Sequence, residues 1–371
     1  MALNDLSQVT PKIIAGAVPV LRQNSIMPRL VMGDMQVTAA KRGSTIDVPI
    51  PSEYVVADVT PSENNSATQA MSPTTVPVPL NQWKYVPFNM TDKDFLEIAD
   101  GVFPREVDAA VKAIANYVDE YLLGQYVHFY GVYGTAGTTP FGDEKPNDAA
   151  KLRAVLNNQL CPLEPRHVVL NADAEAAALS VPAFANMEWH GDPQAILDGK
   201  LNRRLGFYWW MNQNVPEHIA GDADAYAVNG NQAAGATTIP IQTGTGDFEV
   251  GDIITFANHS QTYTVVSQVS GTSVTIRPPL QVAVPTTTVI SSLADHIANI
   301  AFHPGAFAFA TRPLEQVTTG LGVLSEVVSD TISGLSMRLQ IKYGEFMTLY
   351  TFDILFGGTV VRPEYGARFL G

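Results

Sequence analysis

The strongest periodic pattern in the chain runs from Pro104 to Tyr130, where apolar side chains recur at steps of three and four residues. That spacing collects them on one face of an α-helix and leaves polar side chains on the other face. Pro104 suits the first helical position, and Glu106 lies in the first turn, where the helix dipole favours negative charge. We predict a helix over residues 104–130, about 40 Å long, that serves as the spine of the molecule.

Period-two alternation before this helix predicts two strands, over residues 46–50 and 76–80. Between them, residues 51–73 are polar and follow neither period. Such a long irregular stretch does not fit inside a compact domain, and a two-stranded ribbon is only marginally stable alone. We therefore predict an outward-reaching flap whose apolar side chains lie in inter-subunit contacts, buried by adjacent copies: Ile46, Val48, Val78, Leu80 and Trp83.

Residues 1–32 contain one weak helix signal, which begins at Thr10 and Pro11. Gly16 and Pro19 interrupt the apolar positions that follow, so the signal does not describe a good core helix. We predict a detached arm that packs on another surface.

The rest of the chain alternates between the two periods and predicts an α+β body. The predicted helices cover residues 148–160, a short segment capped by Asn171, and a segment that begins at Asp192. The predicted strands are residues 166–170, 207–211, a pair or bend over 299–310, a hairpin over 337–343 and 350–356, and a last strand over 359–362.

The composition changes at Gly221, and up to Ser292 the chain is rich in Thr, Val, Ile, Gly and Ser. Four alternating runs are separated by turn residues at roughly ten-residue spacing, which is typical of a small all-β module. They cover residues 237–242, 253–257, 262–266 and 273–277. Because α+β segments flank the module on both sides, we predict an insertion.

Composition and charge exclude several classes of protein. The chain has 371 residues, one cysteine and a net charge of −14. One cysteine cannot form an internal disulfide, and the N-terminus lacks a secretory signal pattern, so we expect an intracellular product. No apolar run reaches the 18 residues of a spanning helix. Basic residues do not form a stripe, so we expect no tight grip on a nucleic-acid backbone.

No catalytic motif stands out, and we predict that the chain is not an enzyme, with no catalytic, cofactor or metal site. Asp222, Asp224 and Asp252 could supply oxygen ligands to calcium, but acidic turn residues at a domain junction explain them more simply. His128 fits a favourable contact with a helix C-terminus. The pair Trp209-Trp210 alternates across a strand, so one indole should pack in the core and the other in an interface.

Four segments together resemble a known family. They are Met1–Asn4, Gly251–Ala257, Gly271–Ile276 and Phe356–Glu364. The first segment is similar to the opening of one coat protein family, the next two to the paired signatures of its β-rich insertion domain, and the last to its closing strand. The four segments also occur in the family's order, around a long helix and an unsupported flap. That family is the major coat protein of short-tailed Salmonella-type phages, a branch of the tailed-phage and herpesvirus capsid fold.

The resemblance implies a division of the chain into six parts. They are an N-terminal arm (1–32), an extended E-loop (33–90), a peripheral domain built on the spine helix (91–160), the first part of an axial domain (161–220), the inserted all-β domain (221–292) and returning axial and peripheral strands (293–371). The insertion departs from the family because it is short and Arg277 is its only basic residue. The family's charged contact across two-fold axes would therefore have to be made differently here.

The resemblance also implies a function and partners. Copies of the chain would form hexamers and pentamers of an icosahedral shell around double-stranded DNA, without tight specific binding to it. Assembly would take place in the bacterial host cytoplasm with a scaffolding protein and a portal protein, followed by expansion, and the product would be located in the virion. Decoration proteins are candidate partners, and a membrane is not. The alternatives are a β-rich carbohydrate-binding or adhesive surface protein and a metal-dependent hydrolase, both of which leave the flap unexplained.

Overall fold

The computed structural model describes residues 17, 19–21, 25–31, 45–50, 54, 56, 73–93, 103–142, 147–185, 199, 201–257, 259–269, 271–316, 323–330 and 333–371. In these ranges the α-helices are α1 (Met27–Leu30), α2 (Phe103–Leu123), α3 (Asn147–Asn158), α4 (Ala172–Ser180) and α5 (Pro182–Ala185). The predicted helix at Thr10, most of the polar flap segment (51–53, 55 and 57–72) and the predicted helix at Asp192 lie outside the described residues.

A five-stranded antiparallel sheet carries the predicted hairpin. Its strands are β16 (Phe307–Arg312), β19 (Met347–Val360), β18 (Ser336–Tyr343), β17 (Val323–Ser329) and β3 (Gln82–Thr91), of which β3 pairs with β19. The hairpin is confirmed, since β18 and β19 pair from Met337 with Ile354 to Tyr343 with Thr348. The separate last strand is wrong, because β19 continues without a break through Thr359 and Val360.

Helix α2 is the spine, and it packs its apolar face on this sheet. Val111, Ile114, Val118 and Leu122 are buried there. The ring of Tyr121 lies edge-on to Phe356 at 5.3 Å, and its hydroxyl donates to the Gly358 carbonyl at 3.1 Å. These contacts give the spine a fixed position over β19.

The spine helix ends earlier than predicted. The α-helix stops at Leu123, and Gly124–His128 form one tighter 3-10 segment before the strand β4 (Gly131–Tyr133). The carbonyls of Tyr126, Val127 and Phe129 all accept from the buried Arg368 guanidinium. Donors from a distant strand therefore satisfy carbonyls that a longer helix would have used internally.

A seven-stranded mixed sheet forms the second layer. Its strands are β4, β20 (Gly366–Leu370), β15 (His296–Phe302), β5 (His167–Leu170), β7 (Phe207–Met211) and β6 (Arg203–Arg204), with β8 (Glu217–His218) paired to β15. Helices α3 and α4 contribute to its apolar core. Asn171 caps α4 as predicted, because its side chain accepts from the Ala174 N–H at 3.1 Å.

Of the two alternatives predicted for residues 299–310, a strand pair or a bend, the structure shows the bend. A 3-10 turn at Pro304–Ala306 separates β15 from β16, and the two strands enter different sheets. Strand β15 pairs with β5 and β20, whereas β16 pairs with β19. The segment therefore links the two layers.

A six-stranded sheet occupies residues 227–292. Its order is β14 (Ile290–Ser292), β11 (Ile253–Phe256), β12 (Tyr263–Val269), β13 (Ser273–Arg277), β10 (Thr238–Gln242) and β9 (Ala227–Val228). All four predicted strands are present. The sheet has an apolar core of its own, which includes Tyr226, Phe256, Tyr263 and Ile276.

The described N-terminal residues are not detached. Ala17, Leu21 and Met27 are buried in the core that the spine helix shares with the five-stranded sheet. The backbone N–H groups of Ile26 and Met27 donate to the Asp119 carboxylate of the spine at 3.0 and 3.1 Å. The prediction of a loose arm is therefore wrong for residues 25–31, because a buried carboxylate holds them. No helix in the described ranges is long and apolar enough to cross a membrane.

Candidate functional site

The predicted flap begins as a ribbon of β1 (Thr45–Ile50) and β2 (Thr74–Pro79), paired from Thr45 with Pro79 to Ile50 with Thr74. Its apolar face lies against the same chain. The side chains of this face pack on Ala308 and Ala310 of β16, and all are buried: Ile46, Val48, Val78 and Leu80. The expectation that these four side chains lack a core within the chain is wrong, because β16 offers them a face of small residues.

Gly357 explains how closely the ribbon can approach. A Cβ atom added to Gly357 would lie 2.0 Å from the Pro79 carbonyl oxygen. Only glycine permits this backbone contact. The face that remains open on the ribbon is polar and proline-rich, with Thr45, Asp47 and Pro77 exposed. A contact between copies through the four apolar side chains stays a prediction.

Trp83 lies outside the ribbon, on β3 of the five-stranded sheet. Its indole is 63 % exposed, and its N–H donates to Asp353 Oδ2 at 3.3 Å. Tyr85, the cross-strand partner of Asp353, is exposed as well. Beneath them, Arg338 donates to both oxygens of Asp353 at 3.1 and 2.5 Å. Two aromatic side chains therefore remain uncovered over a buried ion pair, and a contact between copies through Trp83 stays a prediction.

The tip of the β18–β19 hairpin is also apolar. Tyr343, Phe346, Met347 and Leu349 are exposed there, and Phe346 is 78 % exposed. Phe346 has φ of 61°, a left-handed backbone that costs a large side chain energy and that glycine or asparagine adopts easily. We call these four residues the tip surface.

A second surface also combines exposed apolar side chains with left-handed backbone conformations. Leu160, Leu163 and Leu205 are exposed near the edge strand β6, and we call them the leucine patch. Leu160 (φ 58°, 86 % exposed) and Leu205 (φ 52°) both have left-handed backbones. The Arg153 guanidinium, from the helix that precedes Leu160, donates to the Leu205 carbonyl at 3.1 Å and joins the two segments. Neither solvent nor backbone favours leucine at Leu160 and Leu205.

The surroundings of the other candidate residues explain them by packing within the chain. Trp209 is buried and Trp210 is partly exposed, as the strand pattern predicts. Cys161 is buried, and desolvation raises the pKa of its thiol, which makes it a poor nucleophile. Burial lowers the pKa of His128 to about 4, so this histidine is neutral and gives no charge to the helix end.

The acidic residues named for calcium do not come together as one ligand set. Asp222 Oδ1 accepts from the Asp247 N–H at 2.8 Å, while the Asp252 carboxylate is buried and bonded to His218. In the described part of the chain, no three His, Cys, Asp or Glu side chains are grouped as a metal site.

Sequence patterns missed one buried polar line. The Tyr126 hydroxyl lies 2.8 Å from His218 Nδ1, and His218 Nε2 lies 2.8 Å from Asp252 Oδ1. This order resembles an acid–base relay, but all three residues are buried, so a substrate has no access to them. The residues are 126, 218 and 252 in the sequence, and no local motif could have grouped them.

Comparison with solved structures identifies the fold. The chain is similar to a structure titled Mycobacterium phage Che8, with a TM-score of 0.54 and 16 % identity over 93 % of this chain and 90 % of that one. It is also similar to the capsid of cyanophage P-SCSP1u, with a TM-score of 0.52 and 12 % identity over 93 % and 88 % of the two chains. For the mature capsid of bacteriophage PhiM1, the values are 0.50 and 10 % over 94 % and 87 %.

These likenesses extend over nearly the whole chain, and they show that it has the tailed-phage capsid fold, in agreement with the predicted fold class. No protein-family model and no curated protein sequence matches it. At these low sequence identities, the likeness shows the fold of the chain but not its function.

Proposed function

We propose that this chain is a shell-forming major capsid protein. Copies would associate as hexamers and pentamers in an icosahedral phage head around double-stranded DNA, which would locate the protein in the virion. The observation that carries the proposal is a capsid fold over more than nine-tenths of the chain. The uncovered tip surface, leucine patch and Trp83 support it, since a subunit of a shell needs apolar faces that its own fold leaves open.

The energetics of such surfaces suit a repeated assembly. Each 100 Å² of apolar surface removed from water contributes about 2.5 kcal/mol, so a few exposed side chains give a weak contact. A closed shell repeats that contact in every copy, and weak contacts then add to a stable particle. The net charge of −14 disfavours tight binding of the enclosed DNA.

The finer parts of the proposal follow from the coat-protein resemblance. Residues 221–292 would be the inserted domain of the Salmonella-type family, 33–90 would include its E-loop, and a scaffolding protein and a portal would act in host cytoplasm before expansion. The six-stranded sheet with its own core supports the first assignment. We also propose that the chain is not an enzyme, which the burial of the Tyr126–His218–Asp252 line supports.

One observation favours a second candidate, a carbohydrate-binding surface protein. Trp210 and Tyr208 line a cavity of about 530 Å³ together with Arg203, and aromatic faces can bind sugars. Glycan binding by the full chain, lost on Trp210→Ala, would support this alternative. Absence of binding to a glycan panel would leave the capsid proposal as the better one.

The decisive experiment is electron microscopy with sedimentation of the full chain, expressed alone and with its candidate scaffolding partner. Closed shells or curved sheets in either sample are expected. A monomer of 40.0 kDa in both would contradict the proposal.

Two variants test whether the strained apolar residues mediate assembly. Leu160→Asn and Phe346→Asn relieve a left-handed backbone and remove exposed apolar surface, so monomer stability should be unchanged or higher by up to about 1 kcal/mol. Assembly should nevertheless need about tenfold more protein, which corresponds to about 1.4 kcal/mol.

The matched control is Thr243→Asn, an exposed left-handed position on the six-stranded sheet that has no large apolar side chain. It should assemble like the unaltered chain. Equal assembly of all three variants would show that the tip surface and the leucine patch make no contact between copies.

A further inference from the structure

The six-stranded sheet contacts the rest of the chain at the 3-10 segment that ends the spine. Thr264 Oγ1 donates to the Val127 carbonyl at 2.8 Å, and Thr262 Oγ1 donates to the Tyr130 carbonyl at 2.5 Å. Gly251 lies against Val127 so closely that an added Cβ would be 2.8 Å from Val127 Cγ1. We call this contact the junction.

A line of buried polar groups crosses the junction. The Tyr126 hydroxyl donates to His218 Nδ1, so His218 carries its proton on Nε2 and donates it to Asp252. The Asp252 carboxylate also accepts from the N–H groups of Glu249 at 2.9 Å and Gly221 at 3.2 Å. His218 thus hydrogen-bonds a hydroxyl on the spine side and a carboxylate on the sheet side at once.

A second histidine lies beside the first. The ring of His296 is 5.0 Å from that of His218, and its Nδ1 donates to the Ala294 carbonyl at 2.9 Å. His296 is buried, and its Nε2 has no hydrogen-bond partner. That nitrogen is an acceptor while the ring is neutral. A proton added to it would be a buried donor without an acceptor, which is costly.

Arg368 disfavours a protonated His296, whereas the Asp252 carboxylate favours it. Arg368 is fully buried, lies 5.0 Å over the Tyr126 ring and donates to Thr264 Oγ1 at 3.1 Å. Asp252 is the buried carboxylate that faces the pair, and His218 already uses it. The neighbouring acids Glu217 and Asp295 are exposed, and Asp295 accepts from the Ala220 N–H. On the spine side, His128 lies close enough to Arg277 and Arg368 for their charges to disfavour its protonated form.

We propose that the junction is an acid-sensitive latch, in which the six-stranded sheet stays docked on the spine while the buried His296 is neutral and is released when His296 is protonated. Release would let solvent reach the His296 ring and would separate the positive charge of that ring from Arg368. The latch belongs to the single chain and does not rest on the proposed function.

The direction of the pH dependence follows from linkage. Desolvation lowers the pKa of His296 below its ordinary value of 6.5, against a smaller opposing effect of the Ala294 carbonyl. A released histidine regains the ordinary value, so the released state binds more protons below pH 6.5. Docking is therefore fully stable above that pH and weakens as the pH falls toward the lowered pKa. His128, whose pKa is about 4, acts in the same direction.

Hydrogen–deuterium exchange of the full chain at pH 7.5 and 5.5, corrected for intrinsic rates and at matched assembly state, tests the latch. The Gly124–His128 segment and the first residues of β12 should exchange about tenfold faster at pH 5.5, while β18 and β19 keep their protection. Unchanged exchange at the junction would overturn the proposal. So would an equal increase across the whole chain, which would indicate general unfolding.

A variant and its matched control test whether His296 causes the faster exchange at pH 5.5. In His296→Asn, the amide nitrogen can take over the bond to the Ala294 carbonyl but cannot titrate, so the pH-dependent increase should become clearly smaller, and the part due to His128 should remain. His259→Asn changes a histidine of the same sheet outside the junction and should keep the increase. Retention of the full increase in His296→Asn would contradict the latch.

A measurement on the unaltered chain keeps the test independent of how the variants fold. The ring signals of His296 in an NMR titration should show its pKa below the ordinary value of 6.5. Titration of His296 at the ordinary value would contradict the latch.

Discussion

Asp119 is a carboxylate on the spine helix with no exposed surface. It accepts from the N–H groups of Ile26 and Met27 and from Asn212 Nδ2 at 2.7 Å. These donors stabilise the charge, yet desolvation outweighs them and raises the pKa of Asp119 to about 6. A single side chain thus both anchors the N-terminal segment and makes its anchoring depend on pH.

The first prediction concerns Asp119→Asn. The folded pKa of about 6 is above the ordinary 3.8, so the native state binds the extra proton. The stability that this proton provides is complete below pH 3.8 and is lost as the pH rises through 6. Between pH 7 and pH 4, the unaltered chain should therefore gain on the order of 2 kcal/mol relative to Asp119→Asn, measured by urea denaturation.

Comparing the two proteins at each pH removes the contribution of the histidines. Burial lowers the pKa of His128 and His167 to about 4, which destabilises both proteins equally in acid. A stability difference that stays constant with pH would show that Asp119 titrates normally.

At the scale of elements, the β18–β19 hairpin combines an apolar inner face with a charged pair on its outer face. Arg338 and Asp353 are cross-strand partners, and both are largely buried. The indole of Trp83 on the adjacent strand donates to the same carboxylate. The pair therefore joins three strands, β18, β19 and β3, at one point of the sheet.

The second prediction tests this pair. Arg338→Met leaves the Asp353 charge buried with only the Trp83 donor, and it should lower the free energy of unfolding by about 3 kcal/mol. Lys342→Met, an exposed position two residue pairs along the same strand face, should change it by less than about 0.5 kcal/mol. Chemical denaturation of both variants measures the difference. Similar small effects would show that solvent still screens the pair.

At the scale of the whole molecule, three sheets share one spine, and the apolar surfaces that remain open among the described residues include the tip surface, the leucine patch and the face around Trp83. The ribbon does not expose its apolar face, because β16 covers it. Contacts between copies are therefore expected to use Trp83 more than the four buried ribbon side chains.

The third prediction is that Trp83→Ala impairs assembly more than folding. The indole is 63 % exposed and makes one 3.3 Å hydrogen bond, so the monomer should lose only about 1 kcal/mol. Assembly, followed by sedimentation, should fall sharply. Val250→Ala removes an exposed side chain from the six-stranded sheet and is the control. Equal losses of stability and assembly in Trp83→Ala would mean that this indole is a core residue.

Local patterns were enough to predict elements whose burial follows a fixed period. The β18–β19 hairpin and the four strands of the six-stranded sheet agree with the alternation of apolar residues, because each strand has one buried face. The α+β class was also predictable from these patterns, whereas the capsid fold was implied by the resemblance of four segments to a coat protein family.

Only the tertiary structure decided where the elements end and what covers them. The spine helix stops at Leu123 because Arg368, some 240 residues further along, donates to the carbonyls that follow. The ribbon is covered because Ala308 and Ala310 present small side chains to it. His218 meets Asp252 and Tyr126 through contacts between sheets, and no periodic signal in a sequence records a contact of that kind.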